Sequence, residues 1–234
     1  MLELDEVTFS FRAVRALDGV SARIEEDGAT ALLGPNGSGK TTLLNVVTGF
    51  LKPAAGRIAW RGEDLTSASV RTRLARGLGR TFQEPEVFGS LPVRQNLELA
   101  AAGAGSARRL ESDVLALLGL GGSLDEPAGN LSYGQRRSLG LAMMMQRAPA
   151  LLMLDEPSSG LGHADRTRLV DVLKALRERG IGLWLIDHDL DFVRAVCEHA
   201  MVLDAGGLIA AGGTDEVLRS PEVVRAYLGD SHAS

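Results

Sequence analysis

The chain of 234 residues holds a single cysteine, Cys197, so no disulfide can form within it. A disulfide-stapled secreted scaffold is excluded, and a reducing compartment fits. Cys197 follows Phe192, Val193 and Val196 in an apolar helical pattern and reads as a buried small residue rather than a nucleophile. No apolar run approaches the roughly 20 residues that span a bilayer. The opening MLELDEVTFS has neither a basic start nor an apolar core, so no secretory leader is expected there. Any membrane association must then come through a partner protein. Positive charge is not in excess either: 25 Lys and Arg stand against 30 Asp and Glu, a net charge of −5. That removes the electrostatic ground for expecting nucleic acid as a general partner. The local cluster Arg71, Arg73, Arg76 reads as a solvated helix face. Heptad runs, internal repeats and long linkers are also missing. What remains suits one large domain with a well-buried core.

The first sixty residues read as strands around one helix. Leu2, Leu4, Val7 and Phe9 lie roughly alternately, and Val20, Ala22 and Ile24 strictly so, which suits antiparallel strands with one buried face. Ala29 to Leu33 is a short apolar run suited to a buried strand. Lys40 to Phe50 reads as helix, and Arg57 to Trp60 as a short edge strand. Pro92 to Gly119 is rich in Ala and Leu without strand pattern; it predicts two or three short helices, separated by Gly103-Ala-Gly105 and closed by Gly121-Gly122. From Gly134 the order becomes helix, strand (Leu151 to Leu154), helix (Asp165 to Glu178), strand (Ile181 to Ile186), helix, strand (Ala200 to Leu203), which predicts parallel βαβ units. Two short helices are expected after that, the last one starting at Ser220-Pro221-Glu222.

Three segments carry chemistry. Gly34-Pro35-Asn36-Gly37-Ser38-Gly39-Lys40-Thr41 fits G-x-x-x-x-G-K-[ST] in full, between an apolar strand and a helix. Glycines let successive N–H groups face one anion, and the helix adds the positive end of its dipole. Lys40 can reach the β- and γ-phosphates of ATP, and Thr41 can ligate Mg2+. Lys40 is expected to be solvated until phosphate arrives. Leu151 to Leu154 deliver Asp155 and Glu156 to the C-terminal end of a buried strand, where ligands of parallel sheets bind. Taken alone, the two acids would read as surface residues. Below a phosphate loop, Asp155 can hold Mg2+ through water, and Glu156 can deprotonate the attacking water. Leu131-Ser132-Tyr133-Gly134-Gln135 precedes a helix; by itself it is a simple capped start.

In this order the segments resemble the nucleotide-binding subunits of ABC transporters, over the whole chain. LSYGQ is similar to the family signature LSGGQ. The resemblance implies an α/β P-loop NTPase fold: a mixed sheet core, an antiparallel β subdomain and a small inserted α-helical subdomain. Residues 1–83 and 150–234 would form the catalytic core and 84–149 the helical subdomain. It implies that Gly34, Asn36, Gly37, Ser38, Gly39, Lys40, Thr41 and Thr42 hold phosphates, and that Phe11 stacks on adenine. Gln83, in Arg80-Thr81-Phe82-Gln83, would contact Mg2+ and water, and His188 the γ-phosphate. Ser132, Gly134 and Gln135 would contact the ATP of a second subunit, in a dimer of identical chains or with a paralogue. Transmembrane permease subunits would hold the protein on the inner face of the membrane, with an external solute-binding protein as an indirect partner. ATP would close the dimer because only the closed form offers both half-sites.

Within the family, the chain is most similar to the ATPases of branched-chain amino acid and urea or amide importers. RTFQ followed by Phe88, the SYGQ tyrosine, and the ending Pro221-Glu-Val-Val-Arg-Ala-Tyr227-Leu-Gly229 carry that likeness. Lipopolysaccharide-export ATPases, or a regulatory ABC ATPase subunit without activity, are the alternatives. Phe88 is expected beside the permease-docking surface, or else folded into the subdomain core. The sequence departs from the family in three places. Ser158-Ser-Gly-Leu-Gly162 ends in glycine where Asp or Asn is usual, Met143-Met-Met145 replaces Arg-Ala-Leu, and the stretch from Gln83 to Leu131 is short.

Overall fold

A computed structural model describes residues 1–81, 86–102 and 112–230. Two sheets form around one helix. In the first, β1 (Leu2–Phe11), β2 (Val14–Ile24), β4 (Ala55–Trp60) and the two-residue β5 (Glu63–Asp64) run in the order β2-β1-β4-β5, every neighbouring pair antiparallel. Leu2, Leu4, Val7 and Leu17, Val20, Ile24 turn inward, as the alternation predicts. The expected edge strand β4 is instead interior, because β5 pairs with its free side.

The second sheet has the order β10-β9-β3-β8-β7-β6, from β3 (Ala29–Leu33), β6 (Leu78–Arg80), β7 (Leu151–Asp155), β8 (Gly182–Ile186), β9 (His199–Asp204) and β10 (Gly207–Gly213). All pairings are parallel except β9 with β10. Neither β6 nor β10 is expected from the sequence. One has three residues and the other five glycines and alanines among seven, so neither shows a hydrophobic period. The central strands are apolar on both faces. Ala31, Leu33, Leu152, Leu154, Leu183 and Leu185 join one core, covered by helices. Leu32, Met153, Trp184 and Ile186 join a second core between the two sheets.

Helix α1 (Lys40–Thr48) fills the space between the sheets with Leu43, Leu44, Val46 and Val47. It stops two residues before the expected Phe50, because Gly49 takes a left-handed φ of 85° and caps it. Helix α2 (Val70–Ala75) corrects another expectation: Arg73 is 1% exposed, not solvated. Its guanidinium donates to the carbonyls of Val46, Val47, Leu65, Thr66 and Ala68. Two of these, Val46 and Val47, belong to the last turn of α1, where intrahelical donors run out, and Val46 also accepts from the Gly49 N–H at 3.2 Å.

Helices α3 (Val93–Ala102), α4 (Ser112–Leu117) and α5 (Tyr133–Met145) lie between β6 and β7 in the chain. The expected Gly103-Ala-Gly105 spacer falls outside the described residues. Met145 enters the core, and Met143 and Met144 pack against it. Helices α6 (His163–Glu178) and α7 (Leu190–Val196) complete the βαβ units; α8 (Thr214–Arg219) and α9 (Pro221–Asp230) follow β10. Cys197 caps α7 and is buried, and burial pushes its thiol up, as an inert cysteine requires. Among the described residues, no helix is long and apolar enough to cross a membrane.

Candidate functional site

Strands β3, β8 and β7 are consecutive neighbours and parallel, so their C-terminal ends open on one edge. The phosphate loop leaves β3, the Asp187-His188 turn leaves β8, and Asp155-Glu156 ends β7. Register keeps them level: Ala31 pairs with Leu185, Leu185 with Leu154, and Asp155 with Ile186. Residues far apart in sequence thus meet at a crevice typical of ligand sites in such sheets.

The loop from Gly34 to Thr41 is held from several sides. At Gly34 (φ 142°) a Cβ would lie 2.1 Å from the carbonyl oxygen of Leu203, and at Gly39 (φ 106°) 2.5 Å from that of Ala16. Only glycine fits either position. Gly206 donates its N–H to the Ser38 carbonyl at 3.0 Å, and the Gly34 N–H donates to the Tyr227 phenol at 2.9 Å. No side chain caps α1 at Gly39, so its amino end presents backbone donors. The Ser38 hydroxyl is buried with no hydrogen-bond partner among the described residues. A buried orphan hydroxyl beside an uncapped helix start suits an entering phosphate. Asn36, Gly37 and Thr41 are exposed, and Thr42 is partly so.

Lys40 corrects the expectation of a solvated amine. It is 8% exposed, and its Nζ donates to the carbonyl oxygens of Gly34 at 2.7 Å and Pro35 at 2.8 Å. The cation therefore waits folded onto its own loop, already desolvated and hydrogen-bonded.

Glu156 and His188 meet across the crevice, with Nε2 3.1 Å from Oε1. Glu156 has a left-handed φ of 47°, a conformation uncommon for a non-glycine residue and frequent at functional turns. Its N–H donates to the Ile186 carbonyl, and its own carbonyl accepts from Arg137 at 2.7 Å. Asp187, buried and not singled out from the sequence, ties the neighbouring loops together. Its carboxylate accepts from the Ser158 N–H and hydroxyl and from the Asp189 N–H. The buried acid before the histidine, Ile186-Asp187-His188, was the available signal. Glycine at 162 caps α6 without a side-chain bond, so the family's usual acid is replaced by backbone alone.

Asp155 accepts from Arg80 Nη2 at 2.9 Å, and Arg80 also donates to Asn45 on α1 at 2.6 Å. Among the described residues no group of three or more His, Cys, Asp or Glu could cage a metal. Asp155 and the exposed Thr41 hydroxyl supply hard oxygen donors of the kind Mg2+ uses, few in number, with phosphate and water completing the shell. The residues present therefore fit that ion. Gln83, the third expected ligand, falls outside the described residues.

The signature segment is arranged differently. Ser132 and Gln135 form a capping box at the head of α5: Gln135 N–H to Ser132 Oγ at 3.2 Å, and Ser132 N–H to Gln135 Oε1 at 3.0 Å. Ser132 and Tyr133 are exposed, and Gly134 lies against the Asp165 carboxylate. Within one chain these residues bond to one another rather than to the phosphate loop. Phe11 ends β1 with 51% of its surface exposed, edge-on to Phe9 at 4.8 Å, so it is an available ring and not a core residue. Phe88 is likewise outside, 55% exposed. The fully buried Asn96 clamps its backbone, accepting from the Phe88 N–H at 2.8 Å and donating to the Phe88 carbonyl at 3.1 Å. Phe88 and Leu99 border a cleft of about 510 Å³ that also touches Met143, Met144 and Arg137.

Residues 17–159 match the sequence profile of the ABC transporter family. The chain is 32% identical to the high-affinity branched-chain amino acid transport ATP-binding protein BraF of Pseudomonas aeruginosa, over 99% of the chain and 98% of that protein. It is 31% identical to the probable branched-chain amino acid transport ATP-binding protein LivG of Archaeoglobus fulgidus, over 98% of the chain and 95% of that protein. Among solved structures, the ADP conformation of an ATP-binding cassette of an ABC transporter superposes with a TM-score of 0.87 at 30% identity, covering 98% of both chains. A nucleotide-free ATP-binding cassette from an ABC transporter superposes at 0.85, also at 30% identity, covering 97% of this chain and 98% of the other. With the strand-end geometry and these relatives agreeing, the chain belongs to the ABC transporter family, and its site is that of an ATP-binding cassette that hydrolyses ATP.

Proposed function

We propose that the protein powers uptake of a small polar solute, branched-chain amino acids or urea and amides, through permease subunits on the inner face of the cell membrane. The observation that carries this reading is the near-complete coverage of branched-chain amino acid transport ATPases at 31–32% identity. The lipopolysaccharide-export and inactive-subunit alternatives gain no support from these relatives, and Glu156 and His188 form an intact pair.

In this reading the loop amides and Lys40 hold the β- and γ-phosphates, and Phe11 stacks on adenine. Mg2+, when bound by Thr41, Asp155 and Gln83, supplies charge neutralisation on the phosphate oxygens. Lys40 leaves the Gly34 and Pro35 carbonyls for phosphate oxygens, exchanging neutral acceptors for charged ones. Glu156 takes a proton from the attacking water, and His188, 3.1 Å away, fixes the carboxylate and faces the γ-phosphate. Ser132, Gly134 and Gln135 of a second ATPase subunit complete the site. The division into a core of 1–83 and 150–234 and a helical insertion of 84–149 follows the placement of α3 to α5 between β6 and β7. Phe88, held outward by Asn96 at an apolar cleft, meets a short helix of the permease.

Uptake into vesicles carrying the permease pair and binding protein tests the reading. ATP-dependent accumulation of branched-chain amino acids or urea supports it, and export-only activity overturns it. Phe88→Asp is expected to abolish co-purification with the permease while leaving basal ATPase activity within about twofold. Intact assembly and uptake in that variant would remove Phe88 from the docking surface.

A further inference from the structure

Helix α9 reaches into the phosphate loop from the far end of the chain. Val223, 2% exposed, anchors the helix in the main core, and Tyr227 follows one turn later on the same face. The Tyr227 phenol oxygen accepts the Gly34 N–H at 2.9 Å across 193 positions of sequence. Gly34 is thereby held on both sides of its own residue: the N–H by Tyr227 and the carbonyl oxygen by Lys40 Nζ at 2.7 Å. Leu203 crowds the space where a Cβ would be, so only a glycine can stand there, and a glycine has the widest freedom to rotate once released. Burial pushes the phenol above its ordinary pKa against the opposing pull of the Gly34 amide, so the ring is a neutral phenol at physiological pH.

We propose that Tyr227 is a positioning residue for ATP binding: it fixes the first corner of the phosphate loop, so that the loop amides stay in place when Lys40 transfers from the Gly34 and Pro35 carbonyls to phosphate. Without the phenol, departure of Lys40 leaves the Gly34 residue unheld on both sides, and ATP must order it. The loss falls on nucleotide affinity, because ordering a loose binding loop is charged to the binding step. The chemical step, carried by Glu156 and His188 on β7 and β8, is not touched by this contact.

The test is Tyr227→Phe in the full chain, which keeps the ring and its packing. A single neutral hydrogen bond predicts a rise in the KM for ATP of about three- to tenfold, with kcat within about twofold of wild type. Hydrogen exchange measured on a peptide covering residues 29–39 should accelerate at the Gly34 amide in nucleotide-free protein. Unchanged KM and unchanged exchange overturn the proposal. A lower unfolding midpoint with KM unchanged also overturns it and makes Tyr227 a packing residue only. The exchange readout needs no turnover, so it separates failure of this contact from failure of the transport reading.

Discussion

Two of the glycine-bearing turns that run into helices, those at the heads of α1 and α5, are finished in opposite ways. At the head of α1 no side chain caps the helix, while strand ends, Gly206, Tyr227 and Lys40 fix the loop from behind. At the head of α5, Ser132 and Gln135 cap each other and the turn is exposed. The first turn is complete within one chain and keeps its donors for a ligand. The second satisfies itself and offers a ligand only what remains: a hydroxyl, a glycine backbone and a dipole. A half-site fixed from behind and set against a self-closed, outward half-site suits the proposed site shared between two subunits, since the outward half must be stable before its partner arrives.

Glu156→Gln should give the largest effect, on the side fixed from behind. It removes the proton acceptor but not the loop, so ATP still binds and turnover falls about 10²–10⁴-fold. Steady-state phosphate release and equilibrium ATP binding measure the two separately; wild-type turnover would break the assignment of the chemistry to the strand ends. Lys40→Ala comes next. Loss of a charge-assisted contact lowers ATP affinity by about 10- to 100-fold. Because Lys40 is buried on two carbonyls, the variant should also unfold more easily, by about 1–3 kcal/mol, in urea titration. An unchanged midpoint would mean that those bonds add nothing to the folded state. Ser132→Ala probes the outward side. Loss of the cap costs about 1 kcal/mol of stability. If Ser132 also serves the partner's ATP, the turnover of the dimer falls as well, while ATP affinity of the single chain is unchanged. A stability loss with full turnover would make the segment a cap alone.

The parts that sequence made legible have burial that is regular along the chain, alternating in β1 and β2 and uniform in the central strands. Strands β3, β7 and β8 are apolar on both faces and end in glycine or acid, so run and terminus are both visible in the residue order. What stayed hidden depends on partners that leave no pattern in the residue order, either backbone carbonyls or side chains far along the chain. Arg73 reads as a surface charge because its five acceptors are backbone carbonyls, two on α1 and three in the segment just before its own helix, and backbone acceptors leave no mark on the residue pattern. Lys40 reads as solvated because its acceptors are backbone atoms of any residue type. Arg80 appeared only as the flank of Gln83, yet it joins Asp155 to α1. Asp187 and Tyr227 act through partners 29 and 193 positions away. Strands β6 and β10 each pair with one neighbour at the sheet's edges and have little pattern of their own.

The backbone at Glu156 sets stability and turnover against each other at one codon. A φ of 47° is disfavoured for a residue with a Cβ by roughly 1–2 kcal/mol relative to glycine. Glu156→Gly would therefore relieve the turn and delete the proposed proton acceptor in a single step. The carboxylate proposed to accept the proton is thus held in place at a cost to the fold.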